Sequence, residues 1–290
     1  VDATRDIAAV RAGHRLIALH RRAKLKSVHD SRTKALAAAR DDGEADRSGR
    51  AVVLAGAGRG FCAGQDLSDG VTPAGGQAPD LGKTIETYYN PLIRRLHALP
   101  FPIIAAVNGT AAGAGANIAL NCDIVLAARS AKFIQAFAKL GLVPDSGGTW
   151  VLPRLVGAAR ARGMCLLAEP IPAEKAEAWG LIWKAVDDDA LIDEAGRMAE
   201  SLANGPTDGL AMQRRILDAS EANDLDTQLD LPRALHRTAP SPPDYAQAPP
   251  PFLPTRPPAF PRPPARATTP RPPTTPPRSR PPPPRPPTPP

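Results

Sequence analysis

One carboxylate, Asp145, stands alone in an otherwise uncharged run from Leu140 to Leu152. Pro144 restricts the backbone before it, and Gly147 and Gly148 follow. A carboxyl in apolar surroundings acquires a raised pKa, which suits it to take and return a proton near neutrality. The glycines open the next helix and let a ligand approach the backbone closely. The local sequence leaves a second reading open. Asp145 could cap that helix, a common task for aspartate, although Ser146 and Thr149 could do the same.

Two strand-then-glycine turns offer a partner for such an acid. They are Phe61–Leu67 (Phe-Cys-Ala-Gly-Gln-Asp-Leu) and Asn108–Asn117 (Asn-Gly-Thr-Ala-Ala-Gly-Ala-Gly-Ala-Asn). Small residues at a strand end or helix start expose unpaired N–H groups. Two such groups aimed at one point make an oxyanion hole, the device that stabilises a thioester carbonyl as it becomes an enolate. A helix after Gly113 would add its positive N-terminal dipole. Taken singly, either turn reads equally as tight packing. The rival reading, a dinucleotide fingerprint at Gly56–Gly60, fails on spacing, because Phe61 stands where the third glycine belongs.

Other candidate groups carry less. Cys62 has no histidine near it in sequence and reads as a small buried residue. The five histidines show no metal-ligand spacing. Trp150, Trp179 and Trp183 read as core or groove-lining side chains. Asp187-Asp188-Asp189 reads as a solvated turn capping the following helix.

The elements that must position these residues alternate between strand and helix, which predicts an α/β layered fold. Apolar runs at 51–55, 102–107 and 123–127 read as strands covered on both faces, and 13–20 as a further short strand. Helical spacing appears over 83–98, where Ile85, Tyr88, Tyr89, Leu92, Ile93 and Leu96 fall on one face. Further helices are predicted over 31–46, from 113 to Leu120, and over 147–168. Others run from Pro172, over 190–203 and over 208–219, with a glycine- and proline-rich loop at 68–80. Phe101–Cys122 is uncharged and long enough to span a membrane. Its asparagines and glycines favour a buried strand, turn and helix instead.

The 290 residues carry a formal charge of +7, but the distribution matters more. Residues 231–290 hold nine arginines and one aspartate, so the tail carries +8 and the remainder −1. A near-neutral body gives no support for nucleic-acid binding. Three widely spaced cysteines suggest neither a disulfide framework nor a metal site, and fit a reducing cytoplasm. Of 36 prolines, 26 lie in the last 60 residues, so a helix is not expected to persist beyond 231. The domain reading is a core over 1–205, a C-terminal helical region over 206–262 disrupted by prolines after 231, and a disordered Pro/Arg-rich tail over 263–290. Pro-x-x-Pro runs in that tail allow an interaction role as an alternative.

The motifs Gly60–Leu67, Val107–Ala116 and Leu140–Trp150, continued by Asn121–Val125 and Ala176–Ile182, resemble the crotonase (enoyl-CoA hydratase/isomerase) superfamily. The resemblance spans roughly residues 10 to 230. It implies a ββα spiral with a C-terminal helical part, assembled as a homotrimer or a dimer of trimers. It also implies an acyl-CoA substrate, no separate cofactor, no metal, no nucleic acid and no membrane. By resemblance, the backbone N–H groups of Gln65 and Ala114 form the oxyanion hole and Asp145 is the catalytic acid–base. Lys24, Leu25, Ala63, Asp66, Leu67, Gly113, Asn117 and Phe137 contact the coenzyme A thioester. Hydratases of the family carry two glutamates at the positions held here by Asn117 and Phe137, and neither replacement can act as a general base. Phe133–Phe137 and Val143–Trp150 resemble the branch that isomerises ring-1,2-epoxyphenylacetyl-CoA to an oxepin in phenylacetate catabolism. The alternatives are an enoyl-CoA hydratase and a Δ3-Δ2-enoyl-CoA isomerase. The Arg-Pro-x-x-Leu-Asn run usual in the family appears here as Arg21–Ser27 without its proline and asparagine.

Overall fold

The computed structural model describes residues 7–11, 14–19, 50–64 and 80–238. The helix expected over 31–46, most of the loop expected at 68–80 and the proline-rich tail lie outside the described residues.

Among the described residues, ten strands form two sheets. The larger has the order β1 (Ile7–Arg11), β2 (His14–Leu19), β3 (Val52–Gly56), β5 (Ile103–Val107), β7 (Ile124–Ala128) and β10 (Lys184–Val186). Its first pair is antiparallel and every later pair is parallel. Leu54 stands opposite Ala105, and Ala105 opposite Val125. β5 is buried at every position, as the continuous apolar run requires. The smaller sheet holds β4 (Gly60–Cys62), β6 (Thr110–Ala112), β8 (Lys132–Ile134) and β9 (Ile171–Pro172).

The chain alternates between these sheets in a repeated unit. β3 and β4 precede helix α1 (Asn90–Ala98), β5 and β6 precede α2 (Ala114–Leu120), and β7 and β8 precede α3 (Gly148–Leu167). This is the α/β spiral of ββα units expected from the resemblance. The helix expected over 83–98 is composite. A turn at Leu81–Thr84, capped by Asp80, leads into a π-helical turn at Ile85–Tyr89 before α1 begins. α1 seats Leu92 and Leu96, one turn apart, in the core. α3 leaves helical geometry at Gly157, whose φ is 77°. α4 (Ala173–Ala178) follows, with Pro172 as its N-cap residue.

α5 (Leu191–Ala203) buries Leu191, Ala195, Ala199 and Ala203 at helical spacing. The aspartates before it do not cap it. Asp187 bonds Arg129 and Asp188 accepts from the Ser130 N–H, so their role is to hold the turn after β7. Trp183 is 68% exposed and belongs to neither core nor groove wall. The helix does not break at 231. α7 (Leu225–Thr238) runs through Pro232. Asp224 caps its start, accepting from the Thr227 N–H at 2.8 Å. A single proline removes one helical bond and leaves the turns on either side intact.

α6 (Thr207–Ser220) has no buried residue, and Arg214 is a principal tie between it and the core, beside the bond from Arg50 to Thr207 at its start. Arg214 pairs with Asp123 at 2.6 Å and donates to the carbonyls of Leu99 and Leu96. Asp123 in turn accepts from the Ile103 N–H at 2.7 Å, at the start of β5. Breaking a buried ion pair costs about 3–5 kcal/mol, and less where one partner is partly wet. Asp123 is 23% exposed at its side chain. Arg214→Met is therefore expected to lower the unfolding free energy by about 2–3 kcal/mol in a denaturant titration. A loss below about 0.5 kcal/mol would show that the clasp is not what seats α6.

Candidate active site

The first amide of α2 belongs to Ala114. It follows Gly113, which takes φ 54° and ψ −127° and serves as the N-cap residue. An L side chain rarely adopts that φ, so the turn requires glycine there. The Gly113 N–H is fixed by the Ile134 carbonyl at 2.8 Å. As a first-turn amide, the Ala114 N–H has no intrahelical acceptor. The chain leaving β4 runs past the same spot. A methyl group on Gly64 would stand 3.5 Å from the Ala114 nitrogen. The segment leading into Gln65 therefore passes beside this amide. Phe137 borders it as well, since its ring tip is 3.7 Å from where a methyl on Gly113 would stand.

Asp145 sits between a 3-10 turn (Ala136–Leu140) and α3. It is half-buried. Burial raises its carboxyl above the ordinary aspartate range, and the hydroxyl of Ser146, donating at 2.9 Å, opposes that rise in part. The capping alternative does not hold. The N-cap residue of α3 is Gly147, with φ 74°, and no side chain caps the helix. The carboxyl is thus left available, with its pKa moved in the direction that an acid–base group needs.

Three side-chain amides secure the turn that carries Asp145. Asn117 on α2 donates from Nδ2 to the Asp145 backbone carbonyl at 2.8 Å. Its Oδ1 accepts from Gln135 Nε2 at 2.8 Å. Asn121, one turn further along, donates to the carbonyls of Asn117 at 2.8 Å and Ser146 at 3.2 Å. All three amide residues are nearly inaccessible, at 0%, 1% and 4% exposure for Asn117, Gln135 and Asn121. Gly148 makes this approach possible, because a methyl there would lie 2.3 Å from Asn117 Nδ2. Ser146 takes φ 50°, one of two non-glycine residues with positive φ among those described. Such a conformation persists only where surrounding bonds over-determine it.

Six expected site residues fall within the described residues: Asp145, Ala114, Gly113, Asn117, Phe137 and Ala63. The structure gathers Gly113, Ala114 and Phe137 around one amide, and Asn117 on the same helix reaches Asp145. Ala63 is exposed beside Gly64. Lys24, Leu25, Gln65, Asp66 and Leu67 lie outside the described residues. Gln135, Asn121 and Ser146 escaped the reading of the sequence as site residues. The available signal was Asn117 and Asn121 four residues apart in an apolar helix, where a buried amide demands a partner.

Residues 10–263 match the Enoyl-CoA hydratase/isomerase family. The 1,2-epoxyphenylacetyl-CoA isomerase of Escherichia coli (strain K12) is 51% identical over 238 residues, covering 82% of this chain and 91% of that protein. The short-chain-enoyl-CoA hydratase of Clostridium acetobutylicum is 34% identical over 228 residues, covering 73% and 85% respectively. Among solved structures, the enoyl-CoA hydratase/isomerase of Cupriavidus metallidurans CH34 superposes with a TM-score of 0.72 at 31% identity, covering 81% of this chain and 88% of that one. The chain belongs to the enoyl-CoA hydratase/isomerase family.

Proposed function

We propose that the protein is an acyl-CoA isomerase that moves a proton along a thioester enolate, with ring-1,2-epoxyphenylacetyl-CoA as the substrate and an oxepin-CoA as the product. The observation that carries this reading is the half-buried carboxyl of Asp145, in a site where Asn117 and Phe137 stand at the positions of a hydratase's two glutamates. Similarity to the Escherichia coli isomerase supports the same choice.

The chemistry follows from the groups present. The thioester oxygen accepts from the Ala114 N–H and, by resemblance, from Gln65. Ionised Asp145 removes a C2 proton, and the electron pair moves onto the thioester oxygen as an enolate. The hydrogen bonds of the hole hold that charge where it develops. Protonated Asp145 then returns the proton further along the conjugated system. With the ring epoxide, the shift of double bonds accompanies ring expansion. A Δ3-to-Δ2 enoyl-CoA shift would use the same groups. Leu142 and Val143, 39% and 78% exposed, supply an apolar lip directly before Asp145 that suits an aromatic acyl group.

Asp145→Asn is expected to abolish turnover and C2 deuterium exchange while acyl-CoA binding, read by calorimetry, survives. Wild-type exchange in that variant would remove Asp145 from the mechanism. The active form is the ionised carboxylate, so kcat/KM falls as pH drops through the Asp145 pKa. Burial raises that pKa. The acidic limb of the profile is therefore expected above the ordinary aspartate range, and a limb at or below that range contradicts the reading.

Hydration offers an independent check. A missing general acid–base typically costs about 10²–10⁴-fold. Crotonyl-CoA should be hydrated at least about a hundredfold more slowly than the preferred thioester is isomerised. Equal rates in a pure sample would favour a hydratase.

A further inference from the structure

The bonds behind Asp145 have fixed directions, and this makes them informative. Asn121 Nδ2 donates to two backbone carbonyls, so its Oδ1 faces the other way, towards His97 Nε2 at 3.0 Å. That oxygen can only accept. His97 must therefore carry its hydrogen on Nε2. The other ring nitrogen, Nδ1, lies 3.7 Å from Asp218 on α6. The ring also stands edge-on to Trp150, with centroids 5.7 Å apart and planes at 86°. Hydrogen bonds thus run from His97 through Asn121 to the Ser146 carbonyl. Asn117 adds a second strand of the same brace at the Asp145 carbonyl.

We propose that Asn117 and Asn121 are positioning residues, braced from behind by the Nε2–H of His97, which hold the Asp145–Ser146 turn and so fix the direction of its carboxyl. The alternative is that these amides satisfy a buried helix and nothing more. Two observations favour positioning. Each asparagine donates to a carbonyl of this turn, Asn117 to that of Asp145 and Asn121 to that of Ser146, and Ser146 is held in the left-handed region there. The brace is also electrically neutral on the side facing Asp145. Its charged neighbours, Asp218, Arg154 paired with Glu221, and Arg214 paired with Asp123, lie around a cavity of about 430 Å³ behind Asn121 and Trp150.

The inference rests on Asp145 being the acid–base group, and the two ideas fail separately. An active Asp145→Asn enzyme overturns the base itself. An inactive Asp145→Asn enzyme beside a fully active Asn121→Ala enzyme overturns only the brace.

In the full chain, Asn121→Ala is expected to lower kcat about 10- to 100-fold, the cost of misplacing a reacting group by about 1 Å. KM should stay within about threefold, because acyl-CoA contacts are untouched. The acidic limb of kcat/KM should move to lower pH, since a loosened turn exposes a carboxyl whose pKa burial had raised. A purely structural asparagine would reduce the amount of active enzyme and leave the limb in place. That result, or an unchanged kcat, overturns the proposal.

His97 supplies a second pair, partly exposed and so less disruptive to folding. Glutamine places an amide N–H where Nε2–H stood, and it does not titrate. His97→Gln should keep kcat and the limb near wild type, while His97→Ala loses kcat several-fold with the limb lowered. Equal behaviour of the two variants, in either direction, overturns the brace.

Discussion

A half-buried carboxyl with no cation beside it among the described residues is the constraint that shapes this site. Desolvation disfavours the ionised form of Asp145, and among the described residues only the hydroxyl of Ser146 works against it. A lysine or arginine at contact would hold the turn firmly, but would drive the carboxyl pKa down and spoil it for the proposed proton transfer. The alternative is to grip the backbone of the residue with uncharged donors. Primary amides meet that requirement, since each offers two N–H groups and no net charge. Asn117 and Asn121 bond the carbonyls of residues 145 and 146 and leave the carboxyl electrically alone.

The brace is only as firm as the helix that bears it. All seven residues of α2 are buried, and four of them are alanine or glycine. Small side chains let α2 press against β4 and α3 closely enough for a short amide to cross the gap. The methyl that Gly148 lacks would occupy the space of the Asn117 amide. The exposed ion pairs elsewhere, such as Arg129 with Asp187 and Glu174, contribute little by comparison, because water screens them. Arg214 differs, being 11% exposed and bonded to two carbonyls at the C-terminal end of α1 as well as to Asp123.

The parts legible in the sequence were those with local causes. β3, β5 and β7 announce themselves as apolar runs, and α5 by its spaced leucine and alanines. β4, β6 and β8 span three residues each, too short for any periodicity to register. The π turn at Ile85–Tyr89 shifts the phase of a helix without changing its composition. Asp145 stood out by contrast with its neighbours. Its two readings, cap or acid, could not be separated there, because the answer depends on Gly147 taking the cap position. The brace was invisible for a different reason. His97 and Asn121 are 24 residues apart, and Asn121 and Ser146 are 25 apart, so only the folded sheet order brings them together.

The same geometry bears on why a proton would return to carbon and not be lost to solvent. An ordered water in a closed site needs two to four polar partners. Asn117 has committed its Nδ2 to Asp145 and its Oδ1 to Gln135. Phe137 offers only an aromatic edge beside Gly113. Among the described residues, the polar atoms near Asn117 belong to this brace, and Gln135 Oε1 is the buried one left without a partner. The proposed isomerisation over hydration thus has its physical basis in Asn117 and Phe137, neither of which carries a carboxyl that could activate a water.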